Sequence, residues 1–379
     1  MEEKNNFSPL ELYVHIPFCV KKCAYCDFLS APGTKELQRE YVQALLEEIR
    51  ADREEKSRPV TSVFIGGGTP SILDGQLMGR ILEELRSNFA MLPDAEVTIE
   101  ANPGTLSAEK LDTYRKSGVN RLSLGLQSPQ DEELAVLGRI HSYDAFLESY
   151  YMSREAGFSN VNVDLMFAIP EQTRDGWQEN LRKVAALEPE HISAYSLIVE
   201  EGTPFAEREL NLPDEDTEYA MYEDTAEILG QYGFRQYEIS NYARKGFACR
   251  HNIGYWRRRD YLGFGLGAAS FCGGMRYSNT DDLGYYLKNS GDFHKLQCNV
   301  EMLTEKDAMA EFMFLGLRMT DGISRAEFEN SFGIPIEMIY GTILEKYKKL
   351  GLLEEQNGRI CLTRRGIHMS NHVMADFLI

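Results

Sequence analysis

The sequence predicts an α/β protein, a partial (β/α)6 barrel followed by a small helical, winged-helix-like unit. Three observations carry this. From residue 12 to about 200, short β-branched runs alternate with segments of helical period. Polar residues fall at or near the carboxyl end of each run. After residue 200, and again after about 300, the pattern changes.

The strand candidates are Leu12–His15, Val60–Ile65, Glu96–Ala101, Arg121–Leu126, Val161–Phe167 and His191–Leu197. Between them lie apolar stripes at i, i+3, i+4, i+7 spacing: Val42, Leu45, Leu46 and Ile49; Met78, Ile81, Leu82, Leu85 and Phe89; Trp177, Leu181, Val184 and Leu187. Six βα units in succession imply a parallel sheet, because parallel neighbours need helical crossovers. Gly66–Thr69 follow the second strand, Glu100 and Asn102 end the third, Gln127 ends the fourth and Asp164 lies within the fifth. Carboxyl ends of such strands are where α/β proteins bind ligands.

The expected organisation is a βα core over 1–200, an extension over 201–300 and a C-terminal unit over 301–379. In the extension, a helix near Glu215–Tyr232 precedes a Gly- and aromatic-rich stretch that reads as irregular strands closing one side of the sheet. In the last unit Thr304 caps a helix with Asp307 three residues on, and Asn357-Gly358 signals a hairpin.

A net charge of −19 speaks against a nucleic-acid surface, which needs clustered cations. Arg257–Arg259 is the one locally basic run, read as a solvated loop or a contact to an anionic group such as a propionate. The start "MEEKNNFSPLEL" lacks signal-peptide character and no run of about 18 apolar residues appears. A cytoplasmic location with reduced thiols is expected, so the seven cysteines read as ligands or buried thiols before disulfides.

Three of them, Cys19, Cys23 and Cys26, form CxxxCxxC directly after the first strand. Three thiolates at this spacing suit zinc or an iron–sulfur cluster. A structural zinc site wants four ligands, and Cys249, Cys272, Cys298 and Cys361 are scattered singly, so spacing leaves only a remote fourth ligand open. A cluster on three cysteines keeps one iron open to a small molecule.

With Tyr25 before the last cysteine, this motif resembles the radical SAM superfamily, whose open iron chelates S-adenosylmethionine (SAM) and whose cluster cleaves it to a 5'-deoxyadenosyl radical. More narrowly, "YVHIPFCVKKCAYCDF", "GGGTPS", "EANP", "LGLQS", "VDLMFAIP" and "HNIGYW" together resemble the family of the oxygen-independent coproporphyrinogen III dehydrogenase HemN and the heme chaperone HemW. The resemblance implies a 4Fe-4S cluster on Cys19, Cys23 and Cys26, with Tyr13 and Tyr25 near SAM. It places Gly67, Gly68 and Thr69 at the methionyl group, offering backbone N–H donors. Glu100, Gln127, Arg139 and Asp164 match polar SAM contacts, and Ile198 and Ala269 match apolar adenine-side positions. Each also has a plainer reading as a turn glycine, a strand-end carboxylate or a surface charge.

Two departures separate the relatives. The dehydrogenase pattern carries a further cysteine where this chain has Phe28, and a longer segment before the cluster than the 18 residues here. "HNIGYW" matches the HNxxYW signature of the chaperone group, which implies heme binding through His251, with Tyr255 and Trp256 against the macrocycle. The plainer reading of His251 is a structural histidine in a turn. His15 reads as an orienting residue for the cysteine loop. The resemblance therefore implies a heme chaperone with 4Fe-4S, SAM and heme, delivering heme to a membrane-bound acceptor such as a respiratory cytochrome. A radical SAM dehydrogenase or methyltransferase is the alternative.

Overall fold

The computed structural model describes residues 8–51 and 53–378. The first 231 residues supply β1 (Leu10–Ile16), α1 (Lys35–Arg50), β2 (Pro59–Gly67), α2 (Gly75–Asn88), β3 (Ala90–Ala101), α3 (Ala108–Lys116) and β4 (Arg121–Gln127). They continue through α4 (Asp131–Val136), α5 (Tyr143–Glu155), β5 (Val161–Phe167), α6 (Arg174–Ala185), β6 (His191–Ser196) and α7 (Glu215–Gln231). β1 to β6 pair in chain order and in parallel. Thr34, Ser107, Ser142, Thr173 and Asp214 each accept a backbone N–H at the start of a helix, which fixes where α1, α3, α5, α6 and α7 begin.

Strand alternation sorts side chains to two faces. Leu10, Leu12, Val14 and Ile16 of β1 join Val42, Leu45 and Ile49 of α1 in the main core. The intervening Glu11, Tyr13 and His15 therefore face the barrel interior. The helix of the sixth βα unit, α7, lies beyond residue 200 and packs on α6.

The extension adds strands at both edges of the sheet, not at one. β7 (Arg235–Glu238) and β8 (Asn241–Ala243) run antiparallel beyond β6. The chain then forms α8 (Arg250–Trp256), and β9 (Asp260–Phe264) pairs in parallel with β1 at the far edge. β10 (Ala269–Cys272), β11 (Met275–Asn279) and β12 (Gln297–Met302) complete that edge antiparallel, with α9 (Leu283–Asn289) and α10 (Phe293–Leu296) between the last two. The "HNIGYW" segment is thus helical rather than irregular strand or turn. The buried Glu96 carboxylate of β3 accepts the backbone N–H groups of Arg250 and His251 at 3.0 and 3.3 Å and caps α8 from inside the barrel.

The C-terminal unit follows as α11 (Glu305–Gly316), β13 (Ile323–Ser324), α12 (Arg325–Phe332), α13 (Glu337–Lys349), β14 (Leu353–Gln356) and β15 (Arg359–Leu362), with α14 (Arg364–His368) and α15 (Ser370–Ala375) last. This is helix, strand, two helices and a hairpin, the winged-helix order. Thr304 and Asp307 form the capping box. Asn357 and Gly358 both take positive φ, 52° and 74°, as a two-residue hairpin turn requires. The unit has its own core of Met313, Phe328, Tyr340, Tyr347 and Phe377. Backbone bonds from Ile239 to Arg318 and from Thr320 to Tyr237 tie it to the extension. Among the described residues no helix is long and apolar enough to cross a membrane.

Candidate functional site

A cavity opens at the carboxyl ends of β2 to β5. Cys19, Cys23 and Cys26 line it, together with Tyr25, Gly67, Gly68, Thr69, Glu100, Gln127, Arg139 and Asp164. Eleven predicted residues, scattered over about 145 positions of sequence, therefore meet in one place.

The cysteine loop is anchored from several sides. His15 Nε2 lies 2.8 Å from the Leu29 carbonyl and its Nδ1 3.0 Å from the Tyr13 hydroxyl. Burial holds the imidazole below its ordinary pKa, so it is a neutral orienting group. Cys19 N donates to Ala31 O, and Ala24 N to Leu137 O. Among the described residues no three His, Cys, Asp or Glu side chains converge on one metal ion. Three cysteine side chains from one loop, lining the cavity beside Glu100, Arg139 and Asp164, are a donor set that suits an iron–sulfur cluster with one iron open to a small molecule.

Glycine at 66–68 is dictated by close approach. A Cβ on Gly67 would lie 2.6 Å from the His15 ring, and one on Gly68 2.5 Å from the Phe18 carbonyl oxygen. Gly67 also has φ +112°. The expectation that this loop offers free N–H donors is corrected. Gly67 N donates to Glu100 Oε2 at 3.1 Å, Gly68 N to Ile16 O and Thr69 N to Phe18 O. The loop is drawn onto β1 and β3, and its amides are engaged within the protein.

Glu100 and Asp164 share the cavity wall. Burial, then the neighbouring Asp164, pushes Glu100 up to about 8. Burial also raises Asp164, against hydrogen bonds from Asn162, Ser193 and Ser123. Arg121 lowers both carboxyls but does not offset the raising effect of burial, so the pair favours a further cation or a proton. Arg139 is held by Asn102 Oδ1 at 2.7 Å and the Gly125 carbonyl at 2.5 Å, and reaches within 3.6 Å of Cys23 Sγ. Asn102 also donates to Thr69 Oγ1 at 2.7 Å. Asn102, Ser123, Lys21 and Lys22 line the cavity beyond the predicted set. Of these, Asn102 was signalled by its place at a strand end next to Glu100.

Four predicted residues lie outside the cavity. Tyr13 sits behind it, stacked on Phe64. Ile198, 67% exposed, and Ala269, also exposed, stand on the surface. His251 is 1% exposed and packs at the opposite, amino-terminal end of the strands. Its Nδ1 is 2.8 Å from Ser62 Oγ, its Nε2 is 2.9 Å from the Tyr255 hydroxyl, and its ring stacks on Phe64. Burial, then Arg121, lowers it to about 3, so it is neutral, but both nitrogens are engaged. Ser62 precedes Gly67 by five strand residues, a depth of roughly 16 Å.

A barrel of parallel strands with a three-cysteine loop after β1 and an acid-lined cavity above it defines a radical SAM protein. Residues 13–184 match the radical SAM superfamily and residues 303–368 the HemN C-terminal domain. The fold superposes on coproporphyrinogen III oxidase HemN from Escherichia coli, described as a radical SAM enzyme, with TM-score 0.85 and 25% identity over 99% of this chain and 91% of that one. Heme chaperone HemW of Lactococcus lactis is 37% identical over 98% of both chains, and that of Escherichia coli 36% identical over 98% of both. Bacillus subtilis HemW is 35% identical over 97% of this chain and 98% of its own. The chain belongs to the HemW heme chaperone family.

Proposed function

We propose that this protein binds heme, carries a 4Fe-4S cluster on Cys19, Cys23 and Cys26, and holds SAM in the cavity beside them. In this reading it passes heme in the cytoplasm to an acceptor, a membrane-bound respiratory cytochrome being the class expected. The observation that carries the reading is full-length similarity to heme chaperones, combined with Phe28 where the dehydrogenase carries cysteine.

Cys19, Cys23 and Cys26 would hold the cluster, which would supply reducing electrons to SAM bound in the cavity beside it. Arg139, next to Cys23, offsets the charge of the thiolates and offers a guanidinium to a carboxylate. Glu100 and Asp164, both raised chiefly by burial, gain a partner when a cationic ligand arrives, which releases the proton that Glu100 holds at neutral pH. His15 and the glycine turn hold the cysteine loop over β1.

The test is anaerobic reconstitution followed by two assays. Hemin and a heme-free acceptor should give transfer without consumption of the protein. Coproporphyrinogen III with SAM and a reductant should give no repeated turnover, and multiple-turnover porphyrin formation would replace this reading with the dehydrogenase one. About four irons per chain, lost on Cys23→Ala, checks the cluster assignment.

A further inference from the structure

Each sulfur of the cysteine loop has a hydrogen-bond partner of its own. Cys19 Sγ lies 3.9 Å from the Ser30 hydroxyl and, as a thiol, donates to it. Arg139 Nη1 donates to Cys23 Sγ at 3.6 Å. The Phe28 backbone N–H favours the thiolate of Cys26, against the effect of burial. A hydroxyl, a guanidinium and a backbone amide thus address the three sulfurs one by one. Two of them reach across the fold, since Ser30 is 11 residues from its sulfur and Arg139 is 116 from its own.

Both side chains are placed so that the contact survives loss of the thiol protons. The Ser30 hydroxyl donates to the Phe28 carbonyl over a long 3.4 Å, and rotation turns it toward a Cys19 thiolate, which is the better acceptor. Arg139 has no such choice. Its Nη2 is held by the Asn102 side-chain oxygen and the Gly125 carbonyl at 2.7 and 2.5 Å, and its buried Nε has no acceptor. Both holding groups are neutral, so they fix the guanidinium beside Cys23 without cancelling its charge.

Reduction of a cluster by one electron adds a negative charge that its sulfurs share. Donors and a fixed cation at those sulfurs stabilise the reduced form more than the oxidised one. We propose that Ser30 and Arg139 set the reduction potential of the cluster, Ser30 through Cys19 and Arg139 through Cys23, and hold it above the value the cysteine loop alone would give. This rests on the 4Fe-4S reading and adds positioning residues to it. The electron comes from an external one-electron donor such as a reduced flavin or viologen. A couple raised in this way is easier to reduce and gives less driving force for cleaving a bound sulfonium, as suits a protein whose proposed task is carriage.

The test is the midpoint potential of the reconstituted full chain without SAM, so that any contact of Arg139 to SAM does not enter. It is read from the electron paramagnetic resonance signal of the reduced form against redox dyes, and does not depend on how many chains are loaded. Arg139→Gln is expected to lower the reduced-to-oxidised ratio at a fixed potential about tenfold, which is 59 mV for a one-electron couple. Ser30→Ala should lower it about threefold, and the double variant by about the product of the two. Ser30→Thr keeps the hydroxyl and should restore the wild-type midpoint. If Arg139→Gln holds no iron, the Ser30 pair decides. Midpoints of the Ala and Gln variants equal to wild type, or a Ser30→Thr midpoint as low as that of Ser30→Ala, would overturn the proposal and leave the cluster reading intact. A wild type that holds no iron and gives no signal on reduction would overturn the cluster reading itself.

Discussion

Gly67 combines a positive φ with a His15 ring 2.6 Å from where a Cβ would stand. Gly67→Ala should therefore cost about 1–3 kcal/mol in backbone strain alone. It should also displace His15 from the Leu29 carbonyl and loosen the cysteine loop. Iron content after anaerobic reconstitution checks this, and retention of wild-type iron would count against the anchoring role. Asn102 offers a second check, because it holds both Thr69 and Arg139. Asn102→Ala should weaken SAM binding by about tenfold, measured by calorimetry, with the iron content unchanged. Both positions stood out in the sequence as members of a strand-end motif. The engagement of the glycine amides by Glu100, Ile16 and Phe18 did not, since it depends on which strands are neighbours.

Among the elements, α8 shows most clearly what local sequence does not reveal. Arg250–Trp256 is short, contains Gly254 and has no side-chain cap of its own. Its helical form depends on Glu96, 154 residues away, which accepts the first N–H groups. A Cβ at Gly254 would fall 2.0 Å from Glu11, so glycine there lets β1 and α8 approach. By contrast, α1, α2 and α6 carried their period and their caps or stripes in the sequence, and the Thr304 box and Asn357-Gly358 turn were readable because they are local. The parallel pairing of β9 with β1 was unreadable for the same reason as α8. Glu96→Ala leaves buried donors without partners and should destabilise the protein by roughly 2–3 kcal/mol. Glu96→Gln retains an acceptor and should cost less; denaturant titration distinguishes the two.

At the scale of the molecule, the barrel interior is unusually rich in shifted groups, and their signs set its pH response. Burial lowers His251 to about 3 and His141 to about 4, so both favour unfolding as pH falls below the free value near 6.5. Burial raises Glu11 and Glu100 to about 8. Each keeps its proton in the folded state and loses it in the unfolded state above about 4.5, so their contribution declines as pH rises to 8. Well above pH 6.5 the histidines are neutral in both states and the carboxyls dominate. Stability of the cluster-free protein should then fall between pH 6.5 and 8, by up to about 1.4 kcal/mol per pH unit for each group. Melting temperatures across that window test it, and Glu100→Gln should flatten the slope. The parallel order of β1 to β6 and the separate C-terminal core followed from periodicity; the two-sided extension did not, because edge pairing is a long-range choice.

The placement of α8 has a consequence for exposure to air. Glu11, Glu96, His251 and Cys249 fill the lower end of the barrel and are almost fully shielded from solvent. Dioxygen, reductant and chelators therefore reach the cysteine loop from above, through the mouth framed by Lys21, Lys22 and Phe28. A single small molecule seated in that mouth should act as a stopper. Saturating SAM is expected to slow bleaching of the reconstituted cluster on exposure to air.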